Sequence, residues 1–162
     1  MTALQWTSGT GFNCPTNFSS SAIAGTATNN NAAAGYVGEY VSSSIPSGSA
    51  VPLTSGTAAN VTSVSLTAGD WECAGNAISN PSGATQTLMS AYLNTTSATA
   101  PTLPGGGGVV NWNSSSVSNI AIGLPPTRFL LSSTTTVYLA ASVTFSGGTD
   151  GALGFLGCRR MR

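Results

Sequence analysis

The chain has 162 residues, of which 41% are apolar and only 5% are charged; four arginines balance four acidic residues, and histidine and lysine are absent. Because a soluble domain usually has about 25% charged residues, this surface must consist largely of small and hydroxyl-bearing side chains. Such a surface suits a protein that works inside an assembly; the alternative is a monomer kept soluble by hydroxyl groups. The zero net charge argues against nucleic-acid binding. No apolar run reaches the roughly 18 residues of a membrane-spanning helix.

Residues 1–34 are predicted to form an extended N-terminal attachment arm. The stretch AIAGTATNNNAAA has neither the period of a strand nor that of a helix. Trp6, Phe12 and Phe18 are nevertheless spaced along the arm. Because aromatic anchors dominate binding energies, we expect these three to attach the arm to a partner; the alternative is a disordered tail. The first residues, MTALQWTSGTGF, lack the basic start and apolar core of a secretion signal, so secretion is not expected.

Residues 35–162 are predicted to form an all-β domain. Short runs of strand-forming residues recur, with turn signals every eight to twelve residues. The predicted strands are 35–45, 51–53, 61–66, 71–78, 85–94, 109–112, 117–122, 137–145 and 152–158. A helix is an alternative for 85–94, and the sequence GLPP at 123–126 is expected to stop the strand before it. The pattern is typical of an antiparallel β-sandwich or jelly roll of about eight strands.

The clearest strand lies near the C-terminus. From Val137 to Phe145 apolar residues occupy every second position, which predicts one buried face. A short glycine-rich loop at 147–151 separates this strand from the next at 152–158, and we expect the two strands to pair as an antiparallel hairpin. Trp71 shares a face with small residues in its own strand, and we therefore predict that it is a core residue.

Three segments together resemble a group of small structural proteins of tailed phages and prophages. They are VTSVSLTAGDWECAGN at 61–76, SAYLNTTSATAPTLP at 90–104, and the end RFLLSSTTTVYLAASVTFSGGTDGALGFLGCRRMR. The resemblance covers roughly 35–162, and its more specific motifs are the TAGDW turn and the GF-x-G-x-R-R ending. It implies a tail-fibre, head-fibre or capsid-decoration protein whose C-terminal domain is a trimeric jelly roll of the tumour-necrosis-factor type. Neither motif is catalytic, so no active residue follows from the resemblance.

The residues themselves favour a non-enzymatic protein without cofactor or metal. The absence of histidine excludes Ser–His and Cys–His nucleophile pairs. Asp70 and Glu72 lie two residues apart, whereas a glycosidase needs two carboxylates across a cleft. The three cysteines, Cys14, Cys73 and Cys158, lack zinc-site spacing. We expect free thiols, with Cys73 buried, although Cys14 could bond to another copy or another virion protein.

Arg159 and Arg160 are expected to point to opposite faces of the last strand. One of them could pair with Asp70, Glu72 or Glu39 across a subunit boundary. The alternative is a solvated chain end.

The predicted partners are other copies of the chain and phage capsid or tail proteins in the virion, after synthesis in the host cytoplasm. Low charge, the resemblance and the aromatic arm together predict a homotrimer. In the predicted strand 137–145, the small residues Ala140 and Ser142 would permit close approach, with Tyr138 as a further subunit contact. The alternative function is a carbohydrate-binding module that recognises a host surface glycan. Its candidate stacking residues are Tyr36, Tyr40, Tyr92 and Trp112.

Overall fold

A computed structural model describes residues 28–102 and 117–162. The chain divides into the units Met1–Asn30 and Asn31–Arg162, and the second unit contains all the described strands. The strands are β1 Tyr40–Ile45, β2 Val51–Pro52, β3 Ala59–Leu66, β4 Gly69–Ser79, β5 Thr85–Asn94, β6 Ala121–Leu131, β7 Thr135–Ser146 and β8 Gly151–Arg160. A single 3-10 turn, Ser47–Ser49, lies between β1 and β2.

Eight strands form two antiparallel sheets packed as a sandwich, which confirms the predicted fold class. Sheet 1 has the order β1-β8-β4-β6, with the short β2 also pairing with β8; sheet 2 has the order β3-β7-β5. From β3 to β8, consecutive strands alternate between the sheets. The 85–94 segment is a strand, and the predicted strand 109–112 lies outside the described residues.

The core lies between the sheets and follows from the period-2 patterns. In β7, Val137, Leu139, Ala141 and Val143 have no exposed area, which confirms the predicted buried face. They meet inward side chains of sheet 1, among which Trp71 is also fully buried, as predicted. Most of the other core residues are valine, leucine, isoleucine or methionine, and they come from both sheets.

The predicted hairpin of the last two strands is wrong. β7 is the centre of sheet 2, and β8 lies in sheet 1 between β1 and β4, so the loop between them crosses from one sheet to the other. Asp150 holds this crossing: its carboxylate accepts hydrogen bonds from the main-chain N–H groups of Asn80 and Gly151 and from the side-chain amide of Gln86. Because Asp150 is buried, these bonds replace the water that a turn residue would otherwise contact.

The expectation that residues 123–126 stop a strand is also wrong, because β6 continues through them. β6 is an edge strand paired only with β4, so Pro125 and Pro126 lose no second ladder of hydrogen bonds. The register shifts here: Cys73 pairs with Thr127 but Gly75 pairs with Leu124, which leaves one extra residue in β6. A β-bulge therefore absorbs the two prolines.

Cys73 and Cys158 form a disulfide, so the expectation of free thiols is wrong for this pair. The two residues are directly opposed on β4 and β8 and have no exposed area, as expected for Cys73 alone. The sequence could not reveal the bond because 85 residues separate the two cysteines and their pairing depends on strand register. Cys14 lies outside the described residues.

Candidate functional site

The outer face of sheet 1 combines exposed aromatic side chains with charged ones. Tyr40, Arg159, Glu72 and Arg128 are successive partners across β1, β8, β4 and β6. Since directly paired residues share a face, these four side chains form one row across the sheet. Residues brought together in this way are separated by up to 119 positions of sequence, and only the strand order makes them neighbours.

A shallow trough runs beside this row. The adjacent row on the same outer face consists of Ser42, Gly157 and Ala74, which have small side chains or none. A third row contains Phe155 and Asn76. The space above the small residues has a volume of about 660 Å³. We refer to it as the sheet 1 trough; its lining residues are Tyr40, Glu72, Ala74, Gly75, Asn76, Phe155, Gly157 and Arg159.

Tyr40 leans into the trough across the main chain of Gly157. A Cβ atom at Gly157 would collide with the Tyr40 hydroxyl group and would lie 3.0 Å from Cζ of Phe155. The glycine is therefore needed for its lack of a side chain, because it allows both aromatic rings to lie against the sheet. Tyr40 and Phe155 are nevertheless 39% and 40% exposed, so each ring retains a surface for contact.

Asp70 lies at the rim of the same face and is bound by two arginines. Its carboxylate accepts two hydrogen bonds from Arg128, at 2.8 and 2.7 Å, and forms an ion pair with Arg162 at 2.8 Å. The hydrogen bonds from Arg128, with the charges of both arginines, lower the pKa of Asp70. A carboxyl group held ionised in this way is unsuited to be the proton donor of a glycosidase pair with Glu72.

Arg160 points to the opposite face and is buried, whereas Arg159 is exposed, as the alternation of β8 predicts. Nε of Arg160 donates to Glu39 at 2.9 Å, and Nη1 donates to the carbonyl oxygen of Ala68 at 2.9 Å. Nη2 donates to the hydroxyl group of Thr67. The ion pairs of Arg160 with Glu39 and of Arg162 with Asp70 both form within one chain, so neither requires a contact between subunits.

The same guanidinium lies 4.3 Å from the ring centre of Trp71, over its face. A Cβ at Gly69, whose φ is +149°, would collide with Nη1 of Arg160. Thr67, Ala68, Gly69 and Trp71 of the TAGDW turn thus all contact the arginine of the GF-x-G-x-R-R ending. We call this group, with Glu39, the Arg160 cluster. The two motifs on which the resemblance rests are therefore in direct contact and form one structural unit.

We expect the stability of the protein to decrease in acid because of Glu39 and Asp70. A hydrogen bond from the main-chain N–H of Gly35, then one from Arg160, lowers the pKa of Glu39 in the folded chain. Since the folded-state pKa values of Glu39 and Asp70 lie below the unfolded values of about 4, their contribution is complete above that pH and is lost as pH falls through the folded values. Thermal melts between pH 7 and 3 measure this loss. Glu39→Gln should flatten it; a melting temperature constant down to pH 3 would contradict the expectation.

The predicted site residues are distributed as follows. The arm anchors Trp6, Phe12 and Phe18 lie outside the described residues. Tyr138 and Ser142 are half-buried on the outer face of sheet 2, and Ala140 between them has no exposed area in the single chain.

Of the candidate sugar-stacking residues, Tyr36 is 69% exposed and Tyr40 lines the sheet 1 trough. Tyr92 is buried, and this burial raises the pKa of its hydroxyl group. Trp112 lies outside the described residues. Phe155 is a further residue of this face that was not predicted from the sequence, although its position two residues before Gly157 in an alternating strand places both on one face.

Within residues 28–102 and 117–162, no group of three or more histidine, cysteine, aspartate or glutamate residues is placed to hold a metal ion. The same residues contain no helix with the length and apolarity required to cross a membrane.

Comparison with known proteins finds distant similarity to solved structures. No protein-family profile matches the sequence, and no curated protein does. Among solved structures, a chain in "Structure of infectious bursal disease virus Gx strain" is similar, with 13% sequence identity and a TM-score of 0.42. The match covers 75% of this chain and 32% of the viral chain, so this chain spans about a third of the length of that protein. A similarity at this level carries no argument about function.

Proposed function

We propose that this chain is a non-enzymatic structural protein of a tailed-phage virion, either a capsid decoration or head-fibre protein or a tail-associated fibre. It self-associates as a homotrimer through its sandwich, and residues 1–34 attach it to capsid or tail proteins. The phage assignment rests on the sequence resemblance; the β-sandwich is the fold that this resemblance implies.

The main support for a structural role is that most of the charged side chains form ion pairs or hydrogen bonds within the sandwich. All eight charged residues of the chain lie in its described parts. Glu39 pairs with Arg160, Asp70 pairs with Arg128 and Arg162, and Asp150 holds the crossing from β7 to β8. The groups that an enzyme would use for proton transfer thus mainly stabilise the sandwich.

A truncation tests both parts of the proposal. The cut should leave Asn31 in place, because its side-chain amide donates to the carbonyl of Tyr40 at 2.7 Å and accepts from the N–H of Tyr40 at 2.8 Å, at the start of β1. Deletion of residues 1–30 should therefore leave a soluble trimer, measured by light scattering, that no longer joins virions. The full chain with Trp6, Phe12 and Phe18 each changed to serine should show the same loss.

Two results would contradict this proposal separately. A full-length chain that is monomeric at micromolar concentration would overturn the trimer. Normal incorporation of the truncated chain into virions would overturn the attachment role of the arm, whatever the oligomeric state.

Carbohydrate binding is the second candidate, and the sheet 1 trough favours it. Tyr40 and Phe155 each expose part of a ring on which a sugar could stack, and Glu72, Asn76 and Arg159 lie beside them with hydrogen-bonding groups. Binding of the isolated protein to a glycan array, lost on Tyr40→Ala, would support this function. It requires the trough to be open in the assembled protein.

A further inference from the structure

The two outer faces of the sandwich differ in a way that a solitary monomer does not explain. Three of the seven large apolar side chains exposed in the described residues lie on sheet 1: Tyr40, Phe155 and Leu130, which is 65% exposed. None of the seven lies on sheet 2. There, exposed positions such as Ser63, Ser65 and Thr87 have hydroxyl groups. A sheet face that meets water is normally polar, so the exposed positions of sheet 2 fit solvent, whereas the aromatic and apolar side chains exposed on sheet 1 fit a covering partner.

The charges on sheet 1 indicate which partner. Among the described residues, which include every charged side chain of the protein, only Glu72 and Arg159 are exposed and without an ion pair. They are directly opposed on β4 and β8, at the edge of the trough. The trough therefore presents one positive and one negative group, and a surface with both signs is complementary to itself.

We propose that the sheet 1 trough is the surface on which a second copy of this chain docks, with Glu72 of one copy bound to Arg159 of the next. The inference rests on the proposed self-association and names the surface that performs it. Tyr40 covers Gly157, but the small side chains of Ser42 and Ala74 leave room on the same face. The trough volume of about 660 Å³ admits side chains of the neighbouring copy.

This interface differs from the one predicted around Tyr138 on sheet 2. Ala140, the small residue at the centre of that prediction, has no exposed area to offer a neighbour. Arg159 and Glu72, by contrast, are exposed, and neither takes part in the ion pairs of the described residues. A charged pair that is desolvated between two copies also selects the correct partner and orientation in a chain with so few charges.

Charge reversal in the full-length protein tests the proposal. Glu72→Arg and Arg159→Glu each place like charges at the contact, so each should raise the concentration at which half of the protein is dissociated by on the order of tenfold or more. The double variant Glu72→Arg/Arg159→Glu should restore assembly. An equimolar mixture of the two single variants should also regain part of it, which pairing within one chain could not achieve. Light scattering across a dilution series measures all four samples, and circular dichroism of each variant verifies its fold.

Ser63→Arg is the matched control, because it places a new charge beside Tyr138 on the opposite face. Wild-type assembly that survives both reversals on sheet 1 but is lost in Ser63→Arg would overturn the trough as the interface and leave self-association intact. A wild-type chain that is itself monomeric would overturn self-association, and with it this inference. Glycan binding by such a monomer, lost in Tyr40→Ala, would assign the trough to a sugar instead.

Discussion

Replacing Arg160 with methionine is expected to lower the free energy of unfolding by about 3–5 kcal/mol, the usual cost of removing one partner of a buried ion pair. The variant leaves the carboxylate of Glu39 in a site where its side chain is only 11% exposed. It also leaves the hydroxyl group of Thr67 and the carbonyl group of Ala68 without the donors they have in the native chain. Denaturant unfolding followed by circular dichroism measures the loss.

Arg162→Met is the matched control for Arg160→Met. Arg162 belongs to the same chain end and also forms an ion pair, but its side chain is 72% exposed. Exposed pairs of this kind contribute about 0–1 kcal/mol, so the control should change the unfolding free energy by no more than that. Equal effects of the two substitutions would show that the Arg160 cluster does not stabilise the fold.

A double-mutant cycle separates the charge from the packing. Glu39→Gln removes the carboxylate that Arg160→Met would leave unpaired, so the double variant should lose less stability than the two single variants together. Strict additivity would contradict a direct interaction between Glu39 and Arg160.

The sequence predicts the faces of the strands better than their partners. Alternation in 137–145 identifies the buried positions of β7, because burial depends only on the period of the side chains. The same alternation is compatible with pairing to any strand that has a free edge. β7 and β8 are each paired along both edges with strands of their own sheets, and this arrangement excludes the hairpin despite their proximity in sequence.

In the candidate site, too, the sequence predicts which face a side chain occupies but not which residues it contacts. Opposite orientations of Arg159 and Arg160 could be predicted from one strand. The ion pair of Arg160 with Glu39 could not, because the partners are 121 residues apart and meet through the pairing of β1 with β8. The sheet 1 trough likewise combines residues of β1, β4 and β8, so no local pattern could identify it. The TAGDW and GF-x-G-x-R-R motifs can be recognised in the sequence, but only the structure shows that Arg160 of the second motif contacts the first.

Replacing Trp71 with alanine is expected to cost about 3–5 kcal/mol of unfolding free energy, as other large-to-small substitutions in cores do. The ring has no exposed area, and its inward neighbours in the same strand include Cys73, which is committed to a disulfide, and Ala77. None of these can move to fill the space of an indole. The variant also loses the ring under the Arg160 guanidinium and the hydrogen bond from the indole N–H to the carbonyl of Thr67, which is 2.9 Å long.

Two further variants make this result specific to the core site. Trp71→Phe retains a ring beneath Arg160 but lacks the indole N–H, so its cost should be clearly smaller than that of Trp71→Ala. Tyr36→Ala removes an aromatic ring that is 69% exposed and should change stability by no more than about 0.5 kcal/mol. Unfolding must be followed by circular dichroism, because the substitution removes one of the three tryptophans that would report by fluorescence. A midpoint for Trp71→Ala equal to that of the native chain would contradict the position of Trp71 between the two sheets, and with it the packing on which the Arg160 cluster depends.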